Sequence, residues 1–252
     1  MDHVISLEGL FHRSKERIRD LGEVFTPEKY VEDMLDLLAK GKRGYWANED
    51  NVFFEPCCGH GNIVLAIYKR RLDALYKKSL ASYGREASFY AVANAINTLW
   101  AIDIDAKNVE NCRTRVLYLT LEFLQAKLFY DNAYTLIEDH QDFFAHMLAA
   151  VKWQIFENET LSSLSDEPNA QAQLTNSGKH WYSRNGHHKM EFDLTWAKFY
   201  EECETHNLES IEFEKAYKFI ESLSSKRLKF AKDFKFAESL LMPSVRYNKM
   251  SA

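Results

Sequence analysis

A chain of 252 residues, 46% of them hydrophobic, is long enough for one α/β domain with additions. Such a chain buries roughly 70–75% of its unfolded-state surface. A net charge of −5 excludes a globally basic surface. Four cysteines, two adjacent (Cys57, Cys58) and none in Cys-x-x-Cys spacing, carry neither a zinc signature nor a disulfide framework. With no apolar run of membrane length and no signal-peptide core, the chain reads as reduced, intracellular and cytoplasmic, with no membrane partner.

Residues 1–20 carry Leu7, Leu10 and Phe11 and then a charged run from His12 to Asp20, which reads as a short amphipathic helix. The run is a solvated helix face or, alternatively, a patch for phosphate. In Gly22–Pro27 a second helix opens: Thr26 is placed to cap it and Pro27 suits its first position, with Val31, Met34, Leu35 and Leu38 on one face. A polar break at 40–50 leads to a strand near Val52–Glu55. A helix is expected from Asn62 toward Tyr76, a turn over Ser79–Glu86, a helix over Ser88–Thr98 and a second strand at Leu99–Ile104. Helices follow near Lys107–Leu124 and Ala133–Val151, then a third strand over Lys152–Glu157. Residues 160–179 are polar and read as a long loop. His180–Ser183 and Lys189–Leu194, flanking Asn185-Gly186, have the pattern of a hairpin. The remainder is helical in pattern, near Trp196–Glu204, Ile211–Leu223 and Arg227–Leu240, and no internal repeat is present.

Two stretches carry chemistry. Phe53-Phe54-Glu55-Pro56-Cys57-Cys58-Gly59-His60-Gly61-Asn62 is an apolar run ending in an acid, then a Gly-x-Gly turn, then a helix. Ala101-Ile102-Asp103-Ile104-Asp105 is a second apolar run ending in carboxylates. Strand, glycine turn, helix and acid-tipped strand form the layout of a doubly wound nucleotide-type site. Glycine lets backbone approach a ligand, and an acid at the second strand's end can take both hydroxyls of a ribose. The alternatives are structural. Glu55 and Asp103 would cap neighbouring helices, and Gly59 and Gly61 would serve only a tight turn. Asp105 reads as a helix cap, His60 as a loop residue, and Cys57 and Cys58 as packed small residues without a partner base.

Together with Gly22-Glu23-Val24-Phe25-Thr26-Pro27, these motifs resemble the S-adenosylmethionine-dependent N6-adenine DNA methyltransferases of restriction–modification systems. Ser14-Lys15-Glu16-Arg17 is similar to short methylase-like proteins of phages and prophages. The likeness covers about residues 12–125 and fades by residue 160. It implies a class I methyltransferase-like, Rossmann-like α/β sheet: an N-terminal helical segment at 1–45, a cofactor domain at 46–195 and a helical C-terminal extension at 196–252. It implies that Phe25, Thr26 and Pro27 border the methionine end of the cofactor. Glu55, Cys58, Gly59 and Gly61 would form the first loop, with Glu55 near the amino group. Asp103 would hold the ribose, Ile104 would pack on the adenine, and Glu159 would sit near the adenine amine.

One family feature is missing. The Asn/Asp-Pro-Pro-Tyr/Phe loop, which holds the target amine and stacks on a flipped base, cannot be formed by Pro27, Pro56, Pro168 and Pro243, none of which are adjacent. Asp131-Asn132-Ala133-Tyr134 reads as a cap and turn. His180-Trp181-Tyr182-Ser183 is the nearer substitute, with His180 and Tyr182 as the candidate catalytic pair, and a hairpin strand with core aromatics as the alternative. Lys226, Arg227, Lys229, Lys232 and Lys235, interleaved with Leu228, Phe230, Phe234 and Phe236, form a basic amphipathic stretch suited to a phosphate backbone or to an ordinary wet helix face. His187-His188 reads as solvent-exposed and not as a metal site. Two functions remain in view. One is a DNA adenine methyltransferase or a subunit of one, with DNA and a partner specificity or catalytic subunit. The other is a non-catalytic protein that binds S-adenosylmethionine or nucleic acid.

Overall fold

In the computed structural model, residues 26–165 and 175–190 are described. The first helix, α1 (Glu28–Ala39), starts one residue later than its sequence suggests. Pro27 is the cap, with φ −60° and ψ 145°, and its carbonyl accepts from the Tyr30 and Val31 amides. No side chain caps α1, so Thr26 does not have the capping role expected of it. Only part of the expected apolar face is used: Val31 and Leu35 are buried, whereas Met34 and Leu38 are 44% and 40% exposed. Those two lie to one side of the buried line, beyond the width of the contact with the neighbouring helix.

A 3-10 turn at Tyr45–Ala47 precedes β1 (Phe53–Glu55). It is pinned by Arg71, which is fully buried. The guanidinium donates to the carbonyls of Trp46 and Asn48 and to Thr98 Oγ1, tying the approach to β1 to the approach to β2. Burial pushes its pKa down to about 10. Arg71 belongs to α2 (Asn62–Tyr83), which runs through most of the segment expected to be a turn. Ser79 lies within the helix with its hydroxyl bonded back to the Leu75 carbonyl, and the helix ends at Gly84, φ +53°. After a 3-10 turn at Gly84–Glu86 come α3 (Ala87–Asn97) and β2 (Leu99–Asp103), a strand buried along its whole length.

Asp105 caps α4 (Ala106–Leu128), its carboxylate accepting from the Lys107 amide at 2.8 Å. The Asn132 side chain caps α5 (Ala133–Asp139) in the same way. The single helix expected over Ala133–Val151 is broken at His140, whose backbone leaves the helical region (φ −132°, ψ 41°) and whose ring lies 4.7 Å from that of Phe89. After the break, α6 (Gln141–Gln154) continues into the segment expected to be strand. Arg113 holds its end, donating to the carbonyls of Lys152 and Ile155. The strand β3 is therefore only Ile155–Glu157.

The polar region is not all loop, since α7 (Thr160–Ser163) forms directly after β3. The expected hairpin is overturned: His180–Ser183 lies inside α8 (Asn176–Asn185). The Thr175 hydroxyl caps α8 by accepting from the Gly178 amide, and Gly186 (φ +74°) ends it. The Asn-Gly pair is thus a helix stop and not a hairpin turn. Residues 1–25, the polar segment 166–174 and the helices expected beyond residue 190 lie outside the described residues.

The three strands are all parallel, in the order β1-β2-β3, with Phe53 beside Leu99, Phe54 beside Trp100, and Asp103 beside Glu157. Alternation sends Phe53, Leu99, Ala101 and Ile155 into one core with side chains of α1 to α6. Phe54, Trp100, Ile102 and Phe156 point the other way, against Met190. The one-sided helical layer follows from handedness. Right-handed crossovers that step in one direction, from β1 to β2 to β3, place every connecting helix on the same face. The expected α/β class holds in this form, as a small parallel sheet among helices. Among the described residues, no helix is long and apolar enough to cross a membrane.

Candidate functional site

In open parallel sheets, ligands bind outside the carboxyl ends of the strands. At that edge β1 ends in Glu55, β2 in Asp103, and β3 in Glu157 followed by Asn158 and Glu159. Backbone ties hold the three exits together. The Cys58 amide donates to the Ile102 carbonyl (2.8 Å) and the Asn158 amide to the Asp103 carbonyl (3.0 Å). Thr160 Oγ1 donates to the Pro56 carbonyl, and its oxygen lies 3.5 Å from the Cys57 sulfur.

The two glycines of the turn have different jobs. Gly61 (φ +97°) is pressed against α4: a Cβ there would lie 2.6 Å from Cys112 Sγ and 3.3 Å from its Cα. Gly59 (φ +52°) faces open space, with nothing within 4 Å of a would-be Cβ. Gly61 therefore serves helix packing, and Gly59 supplies the bare backbone. Arg115 of α4 fixes the turn from behind, donating to the His60 carbonyl (2.8 Å) and Asn62 Oδ1 (2.9 Å).

Asp103 is 9% exposed and organises the edge. Its Oδ2 accepts from the Gly59 amide (2.8 Å), and its Oδ1 from the Asp105 amide (2.9 Å) and the Asn108 side-chain amide (3.2 Å). Glu55 Oε1 accepts from the Cys57 amide at 3.1 Å. Burial raises the Glu55 pKa above the usual carboxylate value; the Cys57 amide opposes this and the charge of Asp103 adds to it. Half-buried Ile104 follows Asp103 in the chain. The Glu159 carboxylate is committed to capping α7, accepting from the Ser162 amide at 2.7 Å.

Cys58 is buried as expected, but Cys57 is exposed, because its side chain turns toward Thr160 at the sheet edge. Neither is a ready nucleophile. Partial shielding of its sulfur from water at the sheet edge, with the charges of Asp103, Glu55 and Glu159, pushes the Cys57 thiol up, against the bond to Thr160. The Cys58 thiol, which donates to the Gly59 carbonyl at 3.4 Å, is pushed up by the neighbouring Cys112 thiol and by burial.

The raised Glu55 pKa has a thermodynamic sign. The folded state binds this proton more tightly than the unfolded chain, so ionisation of Glu55 costs stability above the raised value and the cost fades as pH falls through it. Glu55→Gln keeps an acceptor for the Cys57 amide and removes the buried charge. The variant is expected to be more stable than the parent at pH 7, with the gain shrinking toward pH 4. Urea unfolding at the two pH values measures this, and equal midpoints at pH 7 would contradict it.

The remaining expected site residues fall elsewhere. Phe25 is outside the described residues; Thr26 and Pro27 lead into α1, and among the described residues no hydrogen bond joins them to Glu55 or Asp103. His180 and Tyr182 ride on α8, with His180 exposed and Tyr182 half-buried. It is Trp181 between them that is buried, donating to Glu157 Oε1 at 3.1 Å, while Arg184 pairs with the same oxygen at 3.6 Å. α8 is thus docked on the end of β3 through Glu157. His187 is also engaged, its Nε2 lying 2.9 Å from the Ser162 carbonyl. Among the described residues, no group of histidine, cysteine and carboxylate side chains is arranged to hold a metal ion.

Asn108, Arg115 and Cys112 escaped the sequence reading. Asn108 had a usable signal, because a residue in the first turn of α4 is carried back over the end of β2. Arg115 and Cys112 had none. Compared with known protein families, with curated proteins and with solved structures, the chain has no match.

Proposed function

We propose that the chain binds S-adenosylmethionine and acts as an N6-adenine DNA methyltransferase or as a subunit of one. The observation that carries this reading is the acidic edge: Glu55 and Asp103 end adjacent strands beside a glycine turn whose Gly59 side is open. A dinucleotide pyrophosphate on that turn would lie against the Glu55 carboxylate and be repelled. A ligand with an ammonium, a sulfonium and a ribose is matched instead: Glu55 for the ammonium, Asp103 for a hydroxyl, Gly59 for close approach. Bound there, S-adenosylmethionine supplies a methyl group activated by its sulfonium. The finer fold expectation, a doubly wound class I methyltransferase-like sheet, belongs to the same proposal.

A second reading has its own support. The Pro-Pro loop is absent, and its nearest substitute, His180 to Ser183, is a helix docked by Trp181. A helix cannot wrap an extruded base as an extended loop does, so the chain would be a cofactor- or nucleic-acid-binding regulatory or assembly subunit. The two readings separate when purified protein is incubated with isotopically labelled S-adenosylmethionine, with and without mixed-sequence double-stranded DNA. Label on DNA, lost in His180→Ala or Tyr182→Ala while cofactor retention persists, supports the enzyme. Retained cofactor with unlabelled DNA supports the binding subunit, and no retention defeats both cofactor readings.

A further inference from the structure

We infer that Asp103 takes one ribose hydroxyl and not two, so that the site is indifferent to the loss of the other. This rests on the cofactor reading above. A carboxylate offers about four acceptor positions, two on each oxygen. Three are taken by the protein itself. Oδ1 is filled by the Asp105 amide and the Asn108 side-chain amide, and Oδ2 holds the Gly59 amide. One position on Oδ2 is left.

The three donors are not easily displaced. Asn108 is 3% exposed, so a bond withdrawn from it could not be replaced by solvent. The Asp105 amide lies two residues along the same strand exit, fixed by the cap of α4. The Gly59 bond spans the gap between the exits of β1 and β2 and sets the shape of the glycine turn. A ligand that claimed both oxygens would have to break one of these ties. Asp103 is itself 9% exposed, so its open side is narrow. Asn108 is therefore a positioning residue: by filling Oδ1 it decides how many hydroxyls are read.

The test compares S-adenosylhomocysteine with its 2′-deoxy and 3′-deoxy forms by titration calorimetry on the full chain. One deoxy form is expected to bind within about twofold of the parent. The other should lose about ten- to hundredfold, the loss of one hydrogen bond to a charged group. Comparable losses for both forms, or for neither, would overturn the inference while parent binding left the cofactor reading standing. No binding of the parent would remove both. In Asn108→Ala, which frees a position on Oδ1, both deoxy forms should bind more weakly than the parent. If the variant ranks the three ligands as the wild type does, Asn108 is not what excludes the second hydroxyl.

Discussion

Gly61→Ala is expected to destabilise the fold by about 2–5 kcal/mol, which corresponds to roughly 4–20 °C in Tm for a domain of this size. Two penalties add. A φ of +97° suits glycine alone, and the new methyl would sit 2.6 Å from Cys112 Sγ and 3.3 Å from the Cys112 Cα. The sulfur can be removed but the helix backbone cannot, so Cys112→Ala should rescue Gly61→Ala only in part. Gly59→Ala meets no neighbouring atom and should cost only the backbone term, about 1–2 kcal/mol. Its larger effect should fall on ligand binding, because the added methyl occupies the open side of the turn. Thermal unfolding of Gly61→Ala, the Gly61→Ala/Cys112→Ala double variant and Gly59→Ala checks the order. Equal destabilisation at the two glycines would show that the close approach to α4 is not what demands glycine at position 61.

Asp103→Ala is expected to weaken S-adenosylmethionine binding by more than about a hundredfold and to cost about 2–4 kcal/mol of stability. The stability loss comes from the Gly59 and Asp105 amides and the Asn108 side chain, which lose their common acceptor. Asp103→Asn keeps one acceptor oxygen, for the Asp105 amide and the Asn108 side chain, but turns its NH2 toward the Gly59 amide, so it should recover only part of the stability and little of the affinity. Retention of labelled cofactor and urea midpoints, measured on both variants, separate the two effects. Normal binding by Asp103→Ala would end the ribose assignment.

The strand–turn–helix units were readable because their signals are local. An apolar run, a glycine pair and a capping carboxylate decide β1, the turn and α4 within a few residues of one another, and Asp105 caps α4 as its position suggests. Errors fall where a distant partner decides. His180–Ser183 reads as one strand of a hairpin because it flanks Asn185-Gly186, yet Trp181 donates to Glu157 on β3, and the segment takes the helix that brings them together. Lys152–Gln154 has strand-like residues, but Arg113, some forty positions earlier, holds the carbonyls at that point as a helix end. The continuous helix expected over Ala133–Val151 breaks at His140, which engages Phe89 and the hydroxyl of Tyr130. Within the site, Glu55 and Asp103 were legible as strand-end acids. The occupancy of Asp103 was not, since it depends on Gly59, 44 residues away.

The strand order has a consequence for how the chain is made. Each strand of β1-β2-β3 is laid beside the one synthesised just before it, always on the outer side of the growing sheet. Among the described strands, none has to be inserted between two that are already paired. The connecting helices also arrive on a single side, so each successive strand–helix unit extends a core that already exists. On the ribosome, where residues emerge at about 5–20 per second, such a layout lets the sheet assemble in the order of translation. Asp103 and the glycine turn would then be tied together before the last of the three strands has left the exit tunnel.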